Sequence, residues 1–159
     1  MTIPSELAQN PIVHKLRSFN AASVRAASNF RNQLALVIPA ELIRSVCEFL
    51  RDDPELQFNF LVDVTAVDRY PDEPRFEVVY HLRAMHRLQR LRLKALVSGQ
   101  NPRIESLYGL WPAADMLERE VFDLFGIHFT GHPNLRRLLM PADWEGYPLR
   151  KDYPVEGHR

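Results

Sequence analysis

A single cysteine, Cys47, stands in 159 residues. That excludes an internal disulfide, and any multi-thiolate zinc or iron–sulfur site built by this chain alone. A reducing compartment is the default for such a chain. No run approaches the roughly 18–20 consecutive apolar residues that cross a bilayer, and the start MTIPSELAQNPIVHK has neither a basic opening nor an apolar signal core. The expectation is a chain that neither spans a membrane nor is exported. Neither GxGxxG nor GxxxxGK followed by Ser or Thr occurs, so nucleotide binding has no support. Excess charge of one sign is missing as well, with Lys plus Arg at 20 and Asp plus Glu at 20. No global field then draws the protein to nucleic acid or anionic lipid, and a surface with no net repulsion suits a chain docked to partners.

What is present is the material of one globular domain. The hydrophobic share is 46% and the charged share 25%, enough for a real core and unlike a disordered chain. Ile12, Val13, Leu16 and Phe19 follow helical spacing and predict a short helix over Pro11–Phe19. Leu34 to Ile38, closed by Pro39, reads as a strand. From Ala40 to Arg51, Leu42, Ile43, Val46, Phe49 and Leu50 form one apolar stripe, with Cys47 near its buried side as an inert core thiol; this is an amphipathic helix. Asp52-Asp53-Pro54 stops it.

Alternation then predicts strands. In FNFLVDVTAV, residues 58–67, Phe58, Phe60, Val62, Val64 and Ala66 fall on one face. After an acidic, proline-bearing turn over Asp68–Pro74, Phe76 to Arg83 alternates again, and Leu88 to Val97 does so after a four-residue link. The three make an antiparallel meander, whose apolar face needs the helices at 11–19, 40–51 and 113–125 as cover. The stripe Arg90, Arg92, Lys94 has no interleaved aromatic on its face and reads as a solvated or edge-protecting face, not a nucleic-acid track. The expected class is α+β, an antiparallel sheet covered by helices on one face.

Residues 1–125 form that domain. Residues 126–159 differ, holding four of the 12 prolines and four of the six glycines, so an extended irregular segment is expected. It is not a solvated linker, because it carries Ile127, Phe129, Leu135, Leu138, Leu139, Met140, Trp144, Tyr147, Leu149 and Tyr153. Such a strip has too few neighbours of its own, which points to a surface laid along another protein and to partial or absent order in isolation.

The stretch EREVFDLFGIHFTGHPNLRRLLMPADWEGYPLRKDYP, Glu118 to Pro154, closely resembles the C-type subunit family of bacterial proton-pumping NADH:quinone oxidoreductase, respiratory complex I. FNFLVDVTAVD at 58–68 and RFEVVYHL at 75–82 are also similar to that family. The resemblance implies a member of the hydrophilic arm that binds no cofactor itself, FMN and iron–sulfur clusters lying in partner subunits. It implies contact with the quinone-site, D-type subunit and the cluster-bearing, B-type subunit, a peripheral place on the cytoplasmic side of the cell membrane, and membrane association only through the complex. The chain stops five residues after Pro154, so the longer relatives' C-terminal extension is expected to be missing, and it is too short for the fused C–D form.

Catalytic and metal readings are weaker. Glu118 and Glu120 point to different helix sides, whereas a working carboxylate pair must converge. His128 and His132 would share a metal face on a helix, but Gly126, Gly131 and Pro133 argue against helix, and no third ligand is evident. No catalytic, cofactor or metal residue is therefore assigned. The partner-docking residues expected are Glu118, Arg119, Glu120 and Asp123 as ion-pairing groups, Arg136, Arg137, Arg150 and Lys151 as cations, and Trp144 and Tyr153 as anchors. Two rivals stand beside the complex I reading. One is the equivalent subunit of a related membrane-bound hydrogenase or other donor:quinone oxidoreductase; the other is a free-standing metal-dependent hydrolase using Glu118, Glu120, His128 and His132.

Overall fold

A computed structural model describes residues 3–156. The outermost residues of both proposed segments, 1–2 and 157–159, lie outside the described residues. A one-turn helix α1 (Ser5–Ala8) precedes α2 (Pro11–Phe19), which starts where expected. Asn10 caps α2 by accepting the Ile12 N–H at 3.0 Å, and Pro11 sits at the first helical position, where its missing N–H costs nothing. Strands β1 (Ala26–Phe30) and β2 (Gln33–Ile38) form a hairpin, and β1 was not anticipated because AASNF shows no alternation. Pro39 ends β2; residues Ala40–Leu42 make a 3-10 turn before α3 (Ile43–Asp52). Ile43, Val46, Cys47 and Leu50 of α3 are buried, and burial raises the Cys47 thiol pKa far above its ordinary value.

The meander is present as β3 (Phe60–Asp68), β4 (Phe76–Ala84) and β5 (Gln89–Val97). The five-stranded sheet runs β1-β2-β5-β4-β3, antiparallel except that β2 and β5 are parallel. That parallel pair arises because the chain leaves β2 through α3, a crossover and not a hairpin. It also places β5 in the middle of the sheet. The edge-protecting reading of Arg90, Arg92 and Lys94 is therefore wrong, since those side chains rise from the sheet's centre.

A second correction concerns β3. Its register shifts between Leu61 and Asp63, leaving Val62 as an extra residue. Such a bulge reverses which side chains face the core, because faces alternate with period 2. Leu61 is buried, while Phe60 and Val62, expected inward, are 49% and 48% exposed. Beyond the bulge Val64 and Ala66 point inward as expected, and so does Asp68, only 4% exposed.

The covered face carries Leu36, Leu82, Leu91, Leu93 and Tyr80, which join Ile12, Leu16, Val46 and Leu50 from α2 and α3 in one core. Helix α4 (Ala114–Phe125) packs along β3. Between β5 and α4 a short strand β6 (Arg103–Glu105) pairs in parallel with β7 (His128–Thr130). Strand β7 lies inside the segment expected to be irregular. Ile127 and Phe129 are fully buried in the chain's own core instead of belonging to an outward strip, and burial of such side chains contributes about 1.5–3 kcal/mol each. From Gly131 to Glu156 the chain forms turns and bends.

Candidate partner-docking surface

Residues 131–153 fold back as a strap over the C-terminal end of α4, and polar groups hold it there. Helix α4 ends at Gly126, whose φ of +72° is the left-handed conformation that glycine adopts without strain. A Cβ here would also meet the Tyr147 ring at 2.5 Å, so the strap passes directly over the helix end. Arg150 Nε donates to the Phe125 carbonyl at 2.6 Å, and the Leu149 N–H donates to the Leu124 carbonyl at 3.0 Å. Carbonyls left over at a helix terminus are thus satisfied by the strap. The Arg150 guanidinium stacks between Tyr147, 4.6 Å from the ring centroid, and Phe76 at 5.2 Å; burial, then Arg75, draws its pKa below the ordinary value.

Asp123 is the centre of the attachment. Fully buried on α4, its Oδ2 accepts the backbone N–H groups of Leu138, Leu139 and Met140 at 2.9, 2.7 and 2.9 Å. Its Oδ1 accepts from Arg137 Nη1 at 2.7 Å. Burial alone would push this carboxyl up, but the Met140 N–H, Arg137 and the two other N–H groups outweigh it and hold the pKa below its usual range. Arg137 also donates to the carbonyls of Asp123, Trp144 and Gly146 at 3.1, 2.9 and 3.0 Å. Arg119 donates to the Arg136 and Arg137 carbonyls, both at 3.2 Å.

A second attachment joins the strap to the β3–β4 hairpin. Asp68 accepts from Arg75 Nε at 2.9 Å and Nη2 at 2.7 Å, and also takes the Lys151 N–H at 2.8 Å. Arg75 reaches onward to both carboxylate oxygens of Asp152, at 2.9 and 2.6 Å. Burial opposes ionisation of Asp68, yet Arg75, the Lys151 N–H and the Tyr70 N–H drive its pKa well below the carboxylate range. Sequence reasoning did not select Asp68, Arg75 or Asp152. The available signal was a carboxylate falling in phase with Val64 and Ala66 on the apolar side of a strand.

Glu118 takes a third position, sealed inside the domain. Its Oε2 accepts the Ser106 hydroxyl at 2.5 Å and its Oε1 the Leu107 N–H at 2.7 Å. Arg44 Nη1 donates to the Ser106 carbonyl at 3.0 Å. Burial raises the Glu118 pKa to about 7, against the pull of the two hydrogen bonds.

Glu118, Arg119, Asp123, Arg137 and Arg150 therefore all have partners within the chain. Glu120, Arg136, Trp144 and Lys151 present exposed side chains, and Tyr153 is half-buried with its hydroxyl 3.4 Å from the Glu145 carbonyl. The polar clamps leave three of the strap's apolar groups outside: Leu139, Trp144 and Leu149 are 60%, 36% and 51% exposed, and Met116 on α4 is 51% exposed. A groove of about 470 Å³ runs between α4 and the strap, lined by Arg119, Phe122, Leu135, Arg136, Arg137 and Met140 among others. Anchors on a rigid base next to a groove are the composition of a protein–protein contact.

The residues of the hydrolase reading are not brought together. Glu118 is sealed in, Glu120 is exposed, and His128 is exposed on β7. The His132 ring is buried with Nε2 3.3 Å from the Asp115 carbonyl, and its Nδ1 accepts the Asn134 N–H, which fixes the tautomer. Among the described residues no group of three or more His, Cys, Asp or Glu is arranged to hold a metal. No helix among them is long and apolar enough to cross a membrane.

Comparison with known proteins adds to this geometry. The family model described as respiratory-chain NADH dehydrogenase, 30 Kd subunit, matches residues 36–159. The C-type subunit of the NADH-quinone oxidoreductase of Roseiflexus sp. (strain RS-1) is 51% identical over 144 residues, 91% of this chain and 83% of that protein. Its counterpart of the same name from Geotalea uraniireducens is 45% identical, covering 93% of this chain and 89% of that one. Among solved structures, the trypsin-resistant fragment (1–134) of Nqo5 superposes with a TM-score of 0.65 at 32% identity, covering 78% of this chain and 96% of the fragment. A chain of the membrane-bound sulfane sulfur reductase, an archaeal respiratory membrane complex, superposes with a TM-score of 0.74 at 27% identity, covering 91% of this chain and 84% of that one.

Proposed function

The chain belongs to the respiratory-chain NADH dehydrogenase 30 Kd subunit family, and from that premise we propose that it is a non-catalytic supporting subunit in the hydrophilic arm of a proton-translocating NADH:quinone oxidoreductase. Its partners in this reading are chiefly the quinone-site, D-type subunit and the cluster-bearing, B-type subunit, and it sits peripherally on the cytoplasmic side of the membrane. FMN and the iron–sulfur clusters belong to other subunits; the complex passes electrons from NADH to quinone and couples this to proton movement. The chain contributes a rigid base on which the strap is displayed.

One observation carries the reading: the strap is fastened by buried ion pairs and main-chain hydrogen bonds while Leu139, Trp144 and Leu149 stay outside. A segment built only to finish its own core would turn those groups inward. Glu120, Arg136 and Lys151 supply exposed charge around the anchors, as at the polar rim of an interface. Pre-fastening the strap removes ordering entropy that docking would otherwise cost.

A mild-detergent pull-down of the tagged chain from its own membranes tests this. Recovery of flavin, iron–sulfur and quinone-site subunits with NADH:quinone reductase activity supports the reading, and a chain recovered alone refutes it. The superposition on a chain of the sulfane sulfur reductase favours one alternative, the equivalent subunit of a relative with another electron donor. Recovery of partners without an NADH-oxidising module selects that alternative.

A further inference from the structure

The strap occupies one end of the β3–β4 hairpin, at Asp68 and Phe76; the other end, at Phe60 and Arg83, lies about 23 Å further along β4 by the strand rise. There the uncovered face of the sheet carries an arrangement that the chain itself does not balance. Arg83 on β4 stands directly opposite Arg90 on β5, and His81 stands opposite Arg92. Directly opposed residues on one face are about 4.5–5.5 Å apart at the backbone, and like charges in such pairs repel.

Among the described residues none of Arg83, Arg90 and Arg92 is ion-paired. Arg92 makes one hydrogen bond, to Gln33 Oε1 at 3.1 Å, while its Nε and that of Arg83 are buried without a partner. Asp63, opposite His81, is the carboxylate in these two rows. The next row differs: Lys94, opposite Val79, is ion-paired at 2.8 Å with Glu77 of the row beyond, which also accepts from Arg69 at 3.0 Å. Burial and Arg92 together hold the His81 pKa below its ordinary value, so the uncompensated field is felt there. Apolar groups flank the block: Phe60 shares the row with Arg83, and Phe30 and Leu88 at the adjoining hairpin tips are 73% and 64% exposed.

We propose that this end of the open sheet face is a second docking surface, which receives a carboxylate-bearing segment of a partner protein together with that segment's apolar side chains. Charge complementarity selects the occupant. A polyphosphate track would call for cations repeating along a line, whereas these form a compact block rimmed by aliphatic and aromatic groups on a chain of zero net charge. Guanidinium groups bind carboxylates bidentately, and the rim groups would be covered in the same step. The inference goes beyond the strap reading and rests on it only for the existence of a protein partner.

The test is the double variant R90E/R92E in the full chain. R90E sets a carboxylate opposite Arg83, and R92E removes the cation that, with burial, lowers the His81 pKa, so the isolated variant is expected to melt no lower than wild type. Recovery of co-purifying subunits in the pull-down is expected to fall about tenfold or more, and the wild-type recovery to weaken with salt more steeply than the variant's. Zero-length carbodiimide coupling in assembled R90K should join position 90 to an Asp or Glu of another subunit. Undiminished recovery by R90E/R92E beside wild type overturns this proposal alone, and a wild type that recovers no subunit overturns both readings. Loss confined to binding of phosphatidylglycerol vesicles or of single-stranded DNA, or to self-association in light scattering, also overturns it.

Discussion

Replacing Asp123 by Asn keeps the shape of the side chain and removes the charge on which the strap converges. The carboxylate accepts three main-chain N–H groups and one guanidinium N–H at 2.7–2.9 Å in a fully buried position. An amide has one acceptor oxygen; if it faces the N–H groups, its NH2 confronts Arg137. Breaking a buried charge pair by neutralising one member costs about 3–5 kcal/mol. Here the strap can release, so the loss is felt as strap opening and not as global unfolding. About 3 kcal/mol corresponds to roughly two decades in an opening equilibrium. Native-state hydrogen exchange followed by mass spectrometry should show the amides of residues 138–140 losing protection about 100-fold, while those of β4 keep theirs. The same release should occur with acid. Because the folded pKa of Asp123 lies below its ordinary 3.8, its contribution is complete above that pH and disappears as the pH falls through the lowered value. Wild-type protection of residues 138–140 in Asp123→Asn would refute this account of how the strap is held.

Glu118→Gln should flatten a pH dependence of the opposite sign. With the folded pKa raised from 4.5 to about 7, the Glu118 contribution to stability is complete below pH 4.5 and about 3 kcal/mol of it is lost as the pH rises through 7, so in urea titrations at pH 5 and pH 7.5 wild type should lose more stability between the two than the amide variant does. Gly126→Ala should destabilise the chain by about 1–3 kcal/mol in denaturant melts, because φ is +72° and the Cβ meets Tyr147 at 2.5 Å. A melt unchanged from wild type would mean the strap does not rest on the helix end. Trp144→Ala should leave the isolated chain's stability within about 0.5 kcal/mol, yet lower assembly recovery about tenfold. An early melt with full recovery would reverse that assignment.

Much of the architecture was legible because it depends on periodicity. The helices over 11–19 and 113–125 and the strands β2 to β5 follow directly from apolar spacing and proline stops, and the resemblance carried by Glu118–Pro154 reached the correct family. Three features were not legible. Strand β1 has no apolar alternation although its partner β2 follows after two residues, and the β6–β7 pair joins segments far apart in sequence. The bulge at Val62 is silent in sequence, because FNFLVDVTAV alternates apolar residues through it on both faces. The strap's residues were expected to turn toward other proteins, yet Asp123, Arg137 and Arg150 are spent inside the chain.

The chain alone determined the type and order of its periodic elements, the family and the odd composition of its last fifth, since hydrophobic period and side-chain chemistry are local. Tertiary structure decided which carboxylates meet which guanidiniums: Asp123 with Arg137 and Asp68 with Arg75 and Asp152. It decided that β5 is central, so that Arg90 faces Arg83, and Arg92 faces His81, on an open sheet. Those outcomes depend on register and crossover, where one residue's shift exchanges inside for outside, and no local pattern encodes that shift.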